Sequence, residues 1–366
     1  MKKLVNYMLV AFFVVSMSSL SYAKGPFITP GARAAGYGTA FVSIADDLTA
    51  IYWNPAGLAY QKDKKIMASL VYLNNNATSD DNSGQKYETT AMVPFMAFST
   101  PFNETTTIAV GAYASGGGGG NLAGLPAGLK IKGEQSFMIY NVSVAKEMND
   151  KLSIGVGVEC IEMKDKLVAN IYGVDYSRSA CGFQGNIGVM YKPVEKLSTG
   201  FLLRSGTYIG LPKETAYLNP LVGLNPSFID GYTYPMTMEL GASYRVLDPL
   251  NVAFAVSYNK YSWISDSYDD TVQFRVGTEY TATDKLSLYL GFFNDPNIYK
   301  DSSSYGVTNI DMYNMQYFTI GAGYDITQTM NVCINYVHSF TQDVVDNGIT
   351  YEYPLDIFRL DLNYKF

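Results

Sequence analysis

The chain has 366 residues, a net charge of −7, 16% charged residues and 14% aromatics, with 31 Tyr against 2 Trp. Its single histidine, His338, leaves a Ser–His–Asp triad, a multi-His zinc centre or a His acid–base pair almost no material, so neither enzyme chemistry nor a metal or other cofactor is expected. The negative balance offers no footprint for nucleic acid, whereas low charge with abundant Tyr and 33 Gly suits a chain whose outer face meets lipid.

The N-terminus, MKKLVNYMLVAFFVVSMSSLSYA, runs from Lys2 and Lys3 through an apolar stretch to Ser21-Tyr22-Ala23, which predicts a secretory signal peptide over 1–23. No later apolar run reaches the roughly 20 residues of a membrane-spanning helix. Residues 24–65 have no strand periodicity, are rich in Gly and Ala, and are broken by prolines. The apolar side chains of this stretch, among them Phe27, Phe41, Leu48, Ile51, Trp53 and Leu58, have no core of their own, so the segment is expected to fold inside a larger structure as a plug. It ends in IYWNPAGLAY. Here Asn54 can cap a turn, Pro55 suits a first helical position, and Gly57 stops that turn from growing; Asn54, Pro55, Ala56 and Gly57 are the candidate junction of plug and wall.

Residues 66–366 fall into period-2 segments of about ten residues, which is the pattern of transmembrane β-strands. The plainest is DIFRLDLNYKF, where Phe358, Leu360, Leu362, Tyr364 and Phe366 share one face and Arg359, Asp361, Asn363 and Lys365 the other. Fourteen strands are predicted, near 66–75, 89–100, 105–114, 135–147, 151–164, 180–192, 196–207, 236–246, 250–261, 271–281, 285–293, 316–325, 329–339 and 356–366. Their connections alternate strictly between short and long, as in outer-membrane barrels with short periplasmic turns and long external loops. The fold expected is therefore all-β: a 14-stranded antiparallel transmembrane β-barrel in the bacterial outer membrane, plugged by an N-terminal hatch and surrounded by outer-membrane lipid. Fourteen tilted strands enclose a cylinder about 28 Å across, too wide for wall side chains alone to fill.

GARAAGYGTAFVSIADDLTAIYWNPAGLA resembles the N-terminal hatch of the FadL/OmpP1/TodX family of outer-membrane transporters for hydrophobic compounds. YPMTMELGASYRVLDPLNVAFAVSYNKYSW, FRVGTEYTATDKLSLYLGFFNDP and FTIGAGYDITQTMNVCINYVHSF are similar to that family's hairpins. The resemblance implies a hatch-plugged monomer that captures a long-chain fatty acid or another hydrophobic molecule outside, passes it beside the hatch, and releases it sideways through a gap in the wall. An apolar substrate gains about 0.8 kcal/mol per methylene by staying out of water, which favours such a lateral route. Pro94, unable to donate to a strand ladder, is the candidate for the break in pairing. Arg204, Arg245, Arg275 and Arg359 face inward and are the candidate partners of a ligand carboxylate, although Glu159, Glu239, Glu279 and Asp361 face inward too. ASGGGGGNLAGLPAGL, residues 114–129, reads as part of a long external loop whose Leu122, Leu125 and Leu129 form a first-contact patch. The hatch stretch also resembles barrels that serve as protein-binding components of secretion systems, which stands as the alternative. A Cys160–Cys181 bridge between neighbouring strands is left open.

Overall fold

The computed structural model describes residues 29–79, 86–121, 131–169, 174–212, 231–300, 314–341, 344–346, 349–352 and 354–366. The expected signal peptide and Leu122, Leu125 and Leu129 lie outside the described residues.

Fourteen strands form the wall: β1 Lys65–Ser79, β2 Lys86–Pro101, β3 Thr106–Asn121, β4 Ile131–Asn149, β5 Leu152–Ala169, β6 Val174–Val194, β7 Leu197–Arg204, β8 Met236–Leu247, β9 Leu250–Lys260, β10 Thr271–Thr281, β11 Leu286–Asp295, β12 Met315–Asp325, β13 Met330–Thr341 and β14 Leu355–Lys365. Each pairs antiparallel with its neighbours, and β1 pairs with both β2 and β14, so the sheet closes. Closure is what lets a sheet cross lipid, because it leaves backbone donors and acceptors paired within the wall. Alternation sets the two faces. Leu240, Phe254, Phe274, Leu290, Ile320, Ile334 and Phe358 are exposed on the outer face. The residues between them turn inward and are buried. Among the described residues, no helix is long and apolar enough to cross a membrane, so the strands carry the lipid-facing surface.

Residues Thr29–Gln61 pack against the inward face of the wall. This segment comprises helix α1 (Ala32–Gly36), helix α2 (Ala50–Trp53) and a 3₁₀ turn (Pro55–Tyr60). Tyr37, Phe41, Leu48, Ile51, Trp53 and Leu58 are almost completely buried, in one apolar cluster with inward residues of the wall such as Phe95, Phe137, Ile139 and Leu202.

Two expectations are corrected. Gly116–Gly120 do not start a loop: they continue β3, paired with Phe137–Gly133 of β4 beyond a bulge at Ala114/Gly116. Glycine carries no strand preference of its own, and the long β4 partner supplies the pairing. The connection at 208–235 is not wholly external: Thr207–Gly210 and Gly231–Tyr234 form an antiparallel hairpin that packs against the inward face of the wall. The inward surface is apolar in part. Val71, Leu73, Val93, Phe293, Met315, Tyr317, Val337 and Ile357 form a second apolar cluster inside the half of the barrel nearer the long connections. All three cysteines are free thiols.

Candidate functional site

Asn54 and Pro55 form the seam between the inner segment and the wall. The extended backbone of Asn54 ends α2, and its side-chain Oδ1 accepts from Ala56 N at 3.1 Å, capping the 3₁₀ turn that Pro55 begins. Its Nδ2 donates to Val42 O at 2.7 Å and to Val189 O of β6 at 3.1 Å. The wall admits this close approach through two glycines. A Cβ at Gly188 would lie 2.0 Å from Asn54 Oδ1, and one at Gly155 would lie 2.3 Å from the Pro55 carbonyl carbon. Gly57 likewise has Ala45 O where a Cβ would stand, at 1.9 Å. Asn54, Pro55, Ala56 and Gly57 are all buried.

Above this seam lies a cavity of about 90 Å³. Its floor is Tyr52 and Trp53 of the inner segment, and its walls include Tyr113 and Ser115 of β3, Glu159 of β5, Arg204 of β7, Glu239 of β8 and Arg275 of β10. Two ion pairs dominate its electrostatics. Arg204 Nε stands 3.6 Å from Glu159 Oε2, its Nη2 donates to Tyr52 O at 2.8 Å, and its guanidinium lies 4.7 Å from the Tyr52 ring centroid. Arg275 donates through Nη1 to Glu239 Oε2 and through Nη2 to Ser257 Oγ and Gln273 Oε1, both at 2.9 Å. Glu159 also accepts from Tyr113, Asn141, Asn186 and Gln184. Buried charges persist in such a site only when paired and hydrogen-bonded, which these are.

The four candidate arginines therefore separate. Arg204 and Arg275 meet at the cavity, each already facing a carboxylate. Arg245 lies near the short-turn end of β8, half exposed, with Nη1 3.9 Å from Glu195. Arg359 is buried on β14, donating to Asn335 Oδ1 at 3.2 Å. In the inner segment Asp46 engages Arg33, and Asp47 accepts from Thr49 N at 2.8 Å. Burial pushes Asp47 above its ordinary value, against the pull of Arg33.

The inner hairpin roofs the cavity. Tyr232 and Tyr234 pack on Phe137 of β4 with ring centroids 4.5 and 5.7 Å apart, and the Tyr234 hydroxyl is 2.8 Å from that of Ser115. Gly206, at φ +71°, turns the chain inward. Sequence reasoning missed Tyr234 and Ser115, yet the alternation GYTYP just before β8 was the available signal.

Beside the cavity the wall is interrupted. β2 and β3 pair only from Phe95↔Tyr113 to Pro101↔Thr107. On either flank, β1–β2 and β3–β4 are paired along nearly the whole strand. Among the described residues, no pair joins Lys86–Pro94 to Ala114–Asn121. Pro94 stands at the last position before pairing begins, its side chain exposed on the outer face, while its neighbour Val93 is buried in the apolar inner cluster.

A closed, 14-stranded antiparallel barrel with an apolar belt outside and an internal site is the architecture of a bacterial outer-membrane channel. A family model described as outer membrane protein transport protein (OMPP1/FadL/TodX) matches residues 14–218, more than half of the sequence. The chain belongs to that family, whose members are transport channels rather than enzymes, and it is an outer-membrane transporter of hydrophobic compounds of the FadL/TodX type. Its fold is similar to that of a Pseudomonas aeruginosa FadL homologue, with a TM-score of 0.71 at 15% identity over 93% of this chain and 100% of the other. It is also similar to the P. putida toluene transporter TodX, with a TM-score of 0.73 at 12% identity over 93% and 99%, and to the Ralstonia pickettii toluene transporter TbuX, with 0.67 at 15% over 93% and 99%. No curated relative matches the sequence.

Proposed function

We propose that this protein is a monomeric, passive uptake channel in which Thr29–Lys64 acts as the hatch and the β2–β3 interruption acts as the lateral exit. The observation that carries this reading is the early end of the β2–β3 ladder at Phe95↔Tyr113, next to a cavity that Tyr113 and Ser115 of β3 also line. Val93 and Ala91 on one side of the interruption and Ala114 on the other belong to, or pack on, the apolar inner cluster. An apolar solute moving from the lumen past these residues reaches lipid without crossing bulk water, and each apolar area it keeps covered lowers its free energy by about 25 cal/mol per Å².

The sequence permits both long-chain fatty acids and other hydrophobic compounds as cargo. The pairing of Arg204 with Glu159 and of Arg275 with Glu239 favours neutral compounds, because a carboxylate entering the cavity meets no cation lacking a counter-charge. The toluene transported by TodX and TbuX is consistent with this preference. Purified protein in liposomes, compared with empty liposomes, is expected to speed entry of a labelled monoaromatic compound more than that of labelled oleate. Equal rates with and without protein for both solutes would refute the transport reading for this cavity, and faster oleate entry would restore the fatty-acid assignment.

A further inference from the structure

Two of the three cysteines meet on the outer face of the wall. In the β5–β6 ladder Cys160 lies opposite Phe183 and Cys181 opposite Glu162, which makes the two cysteines diagonal neighbours on one face. Their thiols are hydrogen-bonded to each other. Both are reduced in this structure, with Cys181 exposed and Cys160 half-buried. Cys333 stands apart, 2% exposed on β13, where its Sγ donates to Asn331 Oδ1 at 3.2 Å.

The thiol pair sits where the outer face passes from lipid to water. Toward the short turns its neighbours are exposed apolar side chains, Val156 and Val158 on β5 and Phe183 and Ile187 on β6. Toward the long connections they are Glu162 and Lys164, joined at 3.2 Å, with the exposed Ser177 and Ser179. Tyr140 of β4, opposite Cys160, donates to Glu162 Oε2 at 3.4 Å, the placement of a tyrosine in an interfacial girdle. Reagents in water therefore reach these thiols, whereas Cys333 is shielded. On the inward face of the next rung, Gln184 of β6 donates to Glu159 of β5. A covalent link between the cysteines would fasten this seam directly behind the carboxylate on which Tyr113, Asn141 and Asn186 also converge.

We infer that Cys160 and Cys181 form a redox site, oxidised during export to a cross-strand disulfide that clamps β5 to β6 behind Glu159. The oxidant is a protein disulfide, carried by an exchange protein of the oxidising compartment that an outer-membrane chain crosses. The thiolate of Cys181, the more exposed of the two, attacks one sulfur of the carrier and expels the other as a thiolate, leaving a mixed disulfide. The Cys160 thiolate then attacks Cys181 Sγ and expels the second carrier sulfur. Two electrons pass from the cysteine pair to the carrier. Its S–S bond becomes two thiols, which take up the two protons that the cysteines lose.

The test reads the thiols of the full chain as exported by a Gram-negative host. Cells are quenched in acid to stop exchange, and the unfolded protein is alkylated with N-ethylmaleimide before intact-mass and peptide analysis. Without reductant a single adduct is expected, on Cys333, together with a peptide linking Cys160 to Cys181; after dithiothreitol all three cysteines should be labelled. Labelling of all three without reductant overturns the inference, as does a link that joins different copies of the chain. The same chain from a host without its disulfide carrier should be labelled at all three, and an equal yield of bridge there overturns the assignment of the oxidant. In folded Cys160→Ser protein, oxidised glutathione should accumulate as an adduct on Cys181, while the parent protein passes on to the bridge. Equal accumulation on parent and variant overturns the pairing. Amide exchange over 159–162 and 181–186 should be several-fold slower in oxidised than in reduced protein, and equal exchange overturns the role of the bridge as a clamp. None of these readouts involves transport.

Discussion

The side-chain amide of Asn54 donates to the main-chain carbonyl of Val189, 3.1 Å away on β6, while the same nitrogen holds Val42 O at 2.7 Å. One buried side chain thus ties two parts of the inner segment to each other and to the wall.

Replacing Asn54 by Ala leaves two buried carbonyls short of a donor and removes the cap of the Pro55 turn. The cost is about 2 kcal/mol, taken from the seating of the inner segment rather than from the strand ladders. The variant should keep heat-modifiable gel mobility, the mark of an intact barrel, while hydrogen exchange in residues 42–60 rises and uptake falls. Unchanged exchange and uptake would reduce the motif to a turn.

Gly188→Ala should reproduce this behaviour from the opposite side, because its Cβ would lie 2.0 Å from Asn54 Oδ1. Gly185→Ala, three residues earlier on the outer face, meets nothing closer than 3.9 Å and should be silent. Thermal melts and uptake of the two variants separate seating from a general effect of adding a methyl group to β6.

A cross-link across the interruption tests the exit. Val93→Cys with Ala114→Cys places both thiols on the inward side of β2 and β3, just beyond the last pair, Phe95↔Tyr113. Oxidised protein should take up neutral aromatic compounds several-fold more slowly than the same protein after reduction. Equal rates in the two states would remove the lateral route from consideration.

Tyr234→Phe and Ser115→Ala each delete the 2.8 Å contact between the roof hairpin and β3. A hydrogen bond of this kind is worth about 1 kcal/mol net, so opening of the roof should become roughly fivefold more frequent. Planar-bilayer recordings should register this as more frequent open events in both variants, with no further gain in the double variant.

Much of the wall was legible because its signal is local. Phe358, Leu360 and Leu362 against Arg359 and Asp361 announce β14 without reference to anything distant, and residues 356–366 predicted it to within a residue of Leu355–Lys365. Gly116–Gly120 were not legible as strand, since their pairing is dictated by Gly133–Phe137 of β4 rather than by their own side chains. The inward arginines were legible by parity, yet parity cannot say that Arg204 and Arg275 converge on one cavity while Arg245 and Arg359 do not. That division depends on shear and closure, which no single segment encodes. The hairpin at 207–210 and 231–234 was hidden for a related reason: its burial comes from Phe137, some ninety residues away in the chain.

The seven residue pairs from Phe95↔Tyr113 to Pro101↔Thr107 are all that fasten β2 to β3. The seams of β6 with β7 and of β10 with β11 also hold seven pairs, but beyond the β2–β3 seam both strands run on without pairing to each other, over Lys86–Pro94 and Ala114–Asn121. This one works like the base of a split in a barrel stave: bilayer compression acting on the free upper edges is borne at its lowest rungs. Load on the free edges of β2 and β3 is thus carried to one end of a short seam, so that losing its uppermost rung would lengthen the split rather than merely loosen the wall.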